Sequence, residues 1–391
     1  MARSRTTVDL SEVVGHFETL EDPRSTINRL HPLPSVVTIS LMAILAGADG
    51  PTGIHKWAVA KSELLLKCLD LPNGLPSKDV IRRVLCALKV EAFQACFVNW
   101  LKSLSDSAEQ NQTDLEAGRK HLAVDGKTMK GSHDRANGIG PMHLVSVWLS
   151  NFGLTLAQVS TDQKSNEITA IPEVLRLVDL KDAIITIDAM GTQTEIAAQI
   201  ADGGGDYVLA LKGNQGNLHK DVIDFVDQHV SNDFADIPVR RLEEKPENGH
   251  GRLDSRIYIQ FSVPDSFRGQ SRWKGLRTIG LVVYNSMEQG KENLDIRYYI
   301  SSLPLGIKQF AKVVRQHWGI ESTCHWSLDV TYREDSLRTR QRCLAENLAW
   351  LRRFTLSLLK QHPGKDSLAM KRRMCGWNDG FLMQVLAGNA P

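Results

Sequence analysis

Two acidic residues each follow a short apolar run. HLAVD (121–125) ends in Asp125, and AIITIDAM (183–190) carries Asp188 near its end. Apolar runs of this length, bounded by Gly-containing turns, predict buried strands. Ligands of α/β sheets collect outside the carboxyl ends of strands. If these two strands are neighbours, Asp125 and Asp188 lie side by side, and two carboxylates repel unless something cationic lies between them. Mg2+ is the natural filler, with Mn2+ as its substitute: a hard ion that takes oxygen ligands and leaves room for water and a phosphate. A third acid would complete a clamp of two ions roughly 3.5–4 Å apart, the arrangement for in-line attack on a phosphodiester. Taken singly, Asp125 could instead cap the DGK turn and Asp188 the helix that starts near Thr192.

Glu321 is the candidate for that third acid. It lies in KVVRQHWGIESTCHWSLDVTYREDSLRTR (312–340), whose first half reads as a helix with Val313, His317, Ile320 and Cys324 at helical spacing. Glu321 falls four residues from both His317 and His325, on one face, where the ordinary reading is a solvated carboxylate and a second is a zinc site. Asp329 and Asp335 compete for the same role, but Glu321 lies within the regular part of the helix. Trp318 and Trp326 read as core residues, with base stacking as the alternative. Phosphate contacts are open to Lys127 and Lys130 after the first acid, to Lys212, Asn214 and Gln215 after the strand DYVLALKG (206–213), and to His250 and Arg252 in GHGRLDSR (249–256). GGGDYVLALKG lacks GxxxxGK[ST], so no nucleotide hydrolysis is expected.

These residues need a scaffold, and the chain is long enough for one. It has 391 residues, 42% hydrophobic and 24% charged, an ordinary globular profile with room for two or three domains. A net charge of +2 does not announce nucleic acid, yet residues 333–373 hold eleven Lys/Arg against four Asp/Glu. The cysteines at 68, 86, 96, 324, 343 and 375 form no CxxC pair, which argues against a zinc ribbon and fits a reducing cytosol. The N-terminus has no apolar run behind its basic residues, and the longest apolar stretch, 36–48, is too short to span a bilayer, so no membrane association is expected.

Residues 1–104 read as a helical domain. Its helices cover 34–47, about 52–69, one after Ser77 as N-cap with Arg82 and Arg83 exposed, and 91–104. The third could be a DNA-recognition helix or merely part of a packing domain. The polar stretch 105–119 reads as a linker. Residues 120–237 give three strands and then alternating helix and strand, which predicts an α/β fold: a mixed sheet with helices on both faces. Residues 238–303 read as a β-rich insertion, 304–362 as helices that complete the core, and 363–391 as a polar, basic tail.

AVDGKTMKGS, ITIDAMGTQ, GDYVLALKGNQ, GHGRLDSR and HWGIESTCHWSLDVTYRED together resemble the DDE transposases of bacterial insertion sequences, most of all the subgroup containing the H-repeat-associated proteins. The resemblance covers nearly the whole chain. It implies a ribonuclease-H-like core interrupted by a β insertion and preceded by an all-α region. It also implies Mg2+-dependent cleavage and strand transfer at transposon inverted-repeat ends. Carried over by position, Asp125, Asp188 and Glu321 are the three acids. The implied partners are double-stranded DNA, both element ends and target, and a second copy of the chain on that DNA; the implied location is a bacterial cytoplasm. The broader family places a Tyr and an Arg before the Glu and a Lys seven residues after it, where this chain has Val314, His317 and Leu328. His317, with Arg315 nearby, is the stand-in for the Arg as phosphate ligand, and Arg333 or Arg338 for the Lys. Two other functions remain open: a silent transposase-derived DNA-binding protein, and a metal-dependent nuclease without strand transfer.

Overall fold

The computed structural model describes residues 10–27, 29–109, 119–161, 166–249, 252–288 and 290–387. Six helices come first: α1 (Leu10–Gly15), α2 (Leu33–Leu45), α3 (Pro51–Ala60), α4 (Ser62–Cys68), α5 (Lys78–Ala87) and α6 (Val90–Glu109). Pro34 stands in the first turn of α2, where its missing N–H costs nothing. Ser77 caps α5 by accepting from Val80 N. The helix expected over 52–69 is broken at Lys61 into α3 and α4. Helix α6 runs five residues into the expected linker, and 110–118 lie outside the described residues.

The α/β part begins with β1 (His121–Met129), β2 (Met142–Leu149) and β3 (Leu154–Thr161). It continues with α7 (Glu167–Arg176), β4 (Ile184–Ile187), α8 (Thr194–Asp202), β5 (Asp206–Leu211) and α9 (Asn217–Val230). Five strands follow without an intervening α-helix: β6 (Val239–Glu243), β7 (Glu247–Gly249), β8 (Arg252–Ser262), β9 (Thr278–Glu288) and β10 (Lys291–Ser301). The chain closes with α10 (Ile307–Gly319), a π-helical turn (Ile320–His325), α11 (Trp326–Val330), α12 (Arg342–Gln361), α13 (Leu368–Trp377) and α14 (Asp379–Ala387).

One mixed sheet of ten strands is formed among the described residues, in the order β3-β2-β1-β4-β5-β10-β9-β8-β6, with β7 paired to β8. β1, β4 and β5 are mutually parallel, while β10 joins β5 antiparallel. The strands of 238–303 therefore extend the same sheet. Side chains alternate across it. Leu122, Val124, Ile185 and Ile187 pack with Ile171, Val174 and Ile196 of α7 and α8, on one face. Ala123 and Ile184 face the other way, toward α10, the π turn and α12.

The last segment departs from the sequence reading. Instead of a polar tail, residues 368–387 form α13 and α14, and Cys375, Leu382, Val385 and Leu386 are buried. They share one core with the N-terminal helices and α12, where Phe97 packs on Phe354 at a ring-centroid distance of 4.2 Å. The N-terminal helices thus lean directly on α12. Among the described residues no helix is long and apolar enough to cross a membrane.

Candidate active site

The β1–β4 ladder ends at the pair Val124↔Ile187, so the next residues on the two parallel strands are Asp125 and Asp188. By strand alternation both project to the face covered by α10 and the π turn. β1 does not stop at Asp125. It runs on to Met129, still paired with β2, so Asp125 stands where β4 leaves the sheet and opens a gap beside it. Backbone amides hold both carboxylates. Asp125 Oδ1 accepts from Gly126 N at 2.8 Å, and Asp188 Oδ1 accepts from Met190 N at 3.0 Å and Gly191 N at 3.4 Å.

Glu321 belongs to the π turn, and its charge is felt at Asp125. Ser322 Oγ donates to the Trp318 carbonyl at 2.8 Å, and Thr323 Oγ1 donates to the Gly319 carbonyl. Hydroxyls that bond back to these carbonyls compete with the backbone amides of the helix, which accounts for the widened turn. The sequence reading placed Glu321 in the regular part of a helix; it stands instead at the start of this irregular turn, exposed. His325 ends the turn with Nδ1 3.5 Å from Asp125 Oδ2. Burial lowers its imidazole to about 3, so it is neutral.

One row deeper, His121 Nε2 and His317 Nδ1 each hydrogen-bond Thr186 Oγ1 at 2.9 Å. Burial lowers His317 to about 4, against the pull of the Asp188 charge. His317, expected as a phosphate ligand, is buried and hydrogen-bonded to Thr186 beneath the site.

Burial pushes the Asp125 carboxyl up to about 8, and the negative charges of Asp188, Glu321 and Glu167 push the same way against the Gly126 amide. Four carboxylates share this electrostatic space. Among the described residues no three His, Cys, Asp or Glu side chains close into a group able to hold a metal ion, which also removes the His317–Glu321–His325 zinc alternative. The donor chemistry nonetheless fits a hard divalent cation: Asp125, Asp188 and Glu321 offer only carboxylate oxygens, and their repulsion is what such a cation relieves.

The other expected contact residues scatter. Lys127 is buried, with Nζ 2.7 Å from Asp329 and 3.0 Å from Asp335, so both competing acids are engaged as its partners. Lys130 is exposed and pairs with Asp335 at 2.8 Å. Arg315 is held by Glu244 and Glu247 at 3.0 and 2.6 Å, and Arg252 by Asp254 at 2.8 Å. His250 lies outside the described residues. Lys212 is exposed at the end of β5, and the side chains of Asn214 and Gln215 both donate to the Ala189 carbonyl, which ties that loop to the residue after Asp188. Arg333 is exposed and takes a left-handed φ of 53°, turning the chain after α11. Arg338 is exposed in a separate cleft. Trp318 and Trp326 are 40% and 57% exposed rather than core, and the Arg297 guanidinium lies over Trp318 at 4.5 Å.

Two groups escaped the sequence reading. Glu167 and His143, both buried, pair at 3.2 Å on the opposite face of β1, directly behind Gly126. Glu334 is fully buried between Arg352 and Arg353. Only the apolar surroundings of those arginines in LAWLRRFTLSLL hinted at that pair.

Comparison with known proteins fits this geometry. Residues 14–101 match the DDE_Tnp_1-associated model, and residues 116–359 match the model described as Transposase DDE domain. The H repeat-associated candidate transposase YhhI of Escherichia coli K12 is 34% identical over 98% of this chain and 99% of its own length. The candidate transposase YncI of Escherichia coli O157:H7 is 36% identical over 97% of this chain and 95% of its own. Among solved structures, the piggyBac transposase synaptic complex with hairpin DNA aligns with 98% of this chain and 80% of its own at 10% identity and a TM-score of 0.39, too distant to bear on the argument. With matches running nearly end to end, the chain belongs to the DDE transposase family, alongside the H-repeat-associated proteins.

Proposed function

We propose that the protein is a DNA transposase that cleaves and joins DNA strands at the inverted-repeat ends of its element. In this reading β1–β5 with α7–α12 form a ribonuclease-H-like core, 1–104 and the basic 333–373 segment hold DNA, and two copies act together in a bacterial cytoplasm. The observation that carries it is the adjacency of Asp125 and Asp188 at the end of one parallel ladder, with the charge of Glu321 felt at Asp125.

Asp125, Asp188 and Glu321 would hold Mg2+ or Mn2+. Bound there, such ions supply an activated oxygen nucleophile and stabilise the leaving oxygen. The protein's own part is positional. The Gly126 amide orients Asp125, and the Met190 and Gly191 amides orient Asp188, so neither carboxylate must reorganise when a cation arrives. Neutral His325 lies beside Asp125 without neutralising it. The His121–Thr186–His317 strut fixes α10, and through it the turn that carries Glu321, against the two strands.

The test is cleavage of duplex DNA carrying the element's ends, in Mn2+, by wild type and Asp188→Asn. Loss of cleavage in the variant with DNA binding intact supports the reading; cleavage at the wild-type rate overturns it. A silent descendant is the second reading, favoured by Leu328 at the position where the family places a Lys; it predicts that both proteins bind ends and neither cuts. Nicking without joining would identify a nuclease without strand transfer.

A further inference from the structure

A cleft of about 270 Å³ is lined by Gly131, His133, Arg135, Arg338 and Arg340, apart from the carboxylates and at the start of the basic 333–373 segment. It lies between two loops with a common origin. One follows β1, the strand of Asp125; the other follows α11, beyond the turn of Glu321. The loops are pressed together: a Cβ on Gly131 would fall 2.2 Å from the Leu337 carbonyl oxygen and 3.0 Å from that of Asp335. Lys130 and Lys127 both pair with Asp335 across the same seam. Asp134 and Ile139 close the first loop with mutual backbone hydrogen bonds at 2.8 and 2.9 Å. The cleft is thus built on fixed backbone.

Its charge is unbalanced. Arg135, Arg338 and Arg340 are exposed and pair with no carboxylate among the described residues. Nearby acids are engaged elsewhere: Asp335 by the two lysines, Glu334 by Arg352 and Arg353, and Asp134 by the Asn137 amide at 2.6 Å. His133, also in the lining, is fixed by a hydrogen bond between Nδ1 and the Lys130 carbonyl at 2.8 Å. Arginines elsewhere on this surface behave differently, since Arg241, Arg252, Arg256 and Arg315 are all paired with carboxylates. Three unpaired guanidinium groups converging on one rigid cleft match the fork geometry of phosphate oxygens.

The cleft also lies at a defined place. From Asp125 to the end of β1 at Met129 is four residues, or roughly 13 Å at about 3.3 Å per strand residue. That is within a few nucleotides of any phosphodiester held at the carboxylates, since duplex DNA rises about 3.4 Å per nucleotide along each strand. We infer that this cleft grips the DNA phosphate backbone a few nucleotides from the bond being cut, through Arg135, Arg338 and Arg340. The inference rests on the transposase reading for the identity of the polyanion.

The test measures affinity for a fluorescent duplex of arbitrary sequence against salt concentration, in wild type, the triple Arg→Gln variant (Arg135, Arg338, Arg340) and the triple Arg→Lys variant. Each neutralised phosphate adds about 0.9 to the slope of log K against log salt. The Gln variant is expected to lose about two to three units of slope and the Lys variant almost none, with equal thermal unfolding in all three. Equal slopes in wild type and the Gln variant would overturn the cleft assignment while the transposase reading stands. Slope lost equally in the Lys and Gln variants would overturn a role through charge. No binding by wild type would overturn both.

Discussion

Glu334 Oε1 lies 3.2 Å from Arg353 Nη1, with both side chains fully buried and Arg352 Nε 3.0 Å from the same oxygen. Burial alone would raise this carboxyl, but the charges of Arg353, Arg352 and Lys127 outweigh it and hold it down at about 2. Its stabilising effect is therefore present above the unfolded-state value of about 4.3 and disappears as pH falls through the folded-state value. Glu334→Gln leaves two buried cations poorly compensated, a change expected to cost about 3–5 kcal/mol. Urea unfolding near neutral pH and at about pH 3 checks both points. The wild-type advantage over the variant should shrink at the lower pH, and a constant difference would mean that Glu334 acts by packing alone.

Lys127 and Lys130 are three residues apart on and just after β1, yet they should respond oppositely to loss of charge. Lys127 is 7% exposed and ringed by Asp329, Asp335 and Glu334, while Lys130 is 77% exposed with Asp335 alone. Lys127→Met keeps the apolar stem and removes the charge, so Asp329 loses its Lys127 partner while Asp335 keeps Lys130 and Glu334 keeps Arg352 and Arg353. It is expected to lower the melting temperature clearly, whereas Lys130→Met leaves it unchanged and weakens DNA binding instead. Calorimetric melts and a binding titration of both variants separate the roles. Equal melting temperatures would show that the Lys127 ion pairs contribute nothing net.

The Thr186 hydroxyl links His121 and His317. Thr186→Val is nearly isosteric and removes the shared oxygen, so His121 Nε2 stays buried with no partner. The expected cost is about 1–3 kcal/mol, with Thr186→Ser restoring most of it. If α10 is what this strut fixes, the Val variant should also lose DNA cleavage out of proportion to its lost stability, measured well below its melting temperature. Full activity in the folded Val variant would show that Glu321 is positioned without the strut.

Much of the site was legible because apolar strands ending in acids leave a local signature. The runs before Asp125 and Asp188 predicted both strands, while their adjacency stood only as a condition, which the parallel β1–β4 ladder meets. What escaped depends on partners far away in the chain. Asp125-Gly126 reads as a strand end, but β1 continues because β2 pairs with it as far as Met129. The π turn is invisible to a 3.6-residue period; Ser322 and Thr323 widen it through hydrogen bonds that periodicity does not encode. Lys127 and Arg315 read as free cations because their acids lie more than sixty residues away in sequence. Helix α13 was obscured by Lys371, Arg372 and Arg373 within it, and α14 by its nine-residue length.

Gly126 tests how closely the two faces of β1 are coupled. An ideal Cβ there would fall 2.2 Å from His143 Nε2 and 2.9 Å from Glu167 Cδ. His143 is itself fixed, with Nδ1 2.9 Å from Thr128 Oγ1, and both His143 and Glu167 are buried. Gly126→Ala must therefore move the His143–Glu167 pair or displace β1 next to Asp125. The overpacking is expected to cost about 1–3 kcal/mol. If the strand gives way, the Gly126 amide that orients Asp125 moves with it, and Mn2+ binding measured by calorimetry weakens along with cleavage. Truncating the obstacle in Gly126→Ala/His143→Ala separates the two routes. Recovery of metal binding in the double variant places the fault in the crowding behind Asp125, and the pair then shows a non-additive coupling. A single Gly126→Ala variant with wild-type stability and metal affinity would show that the His143–Glu167 pair yields freely and plays no part in holding Asp125.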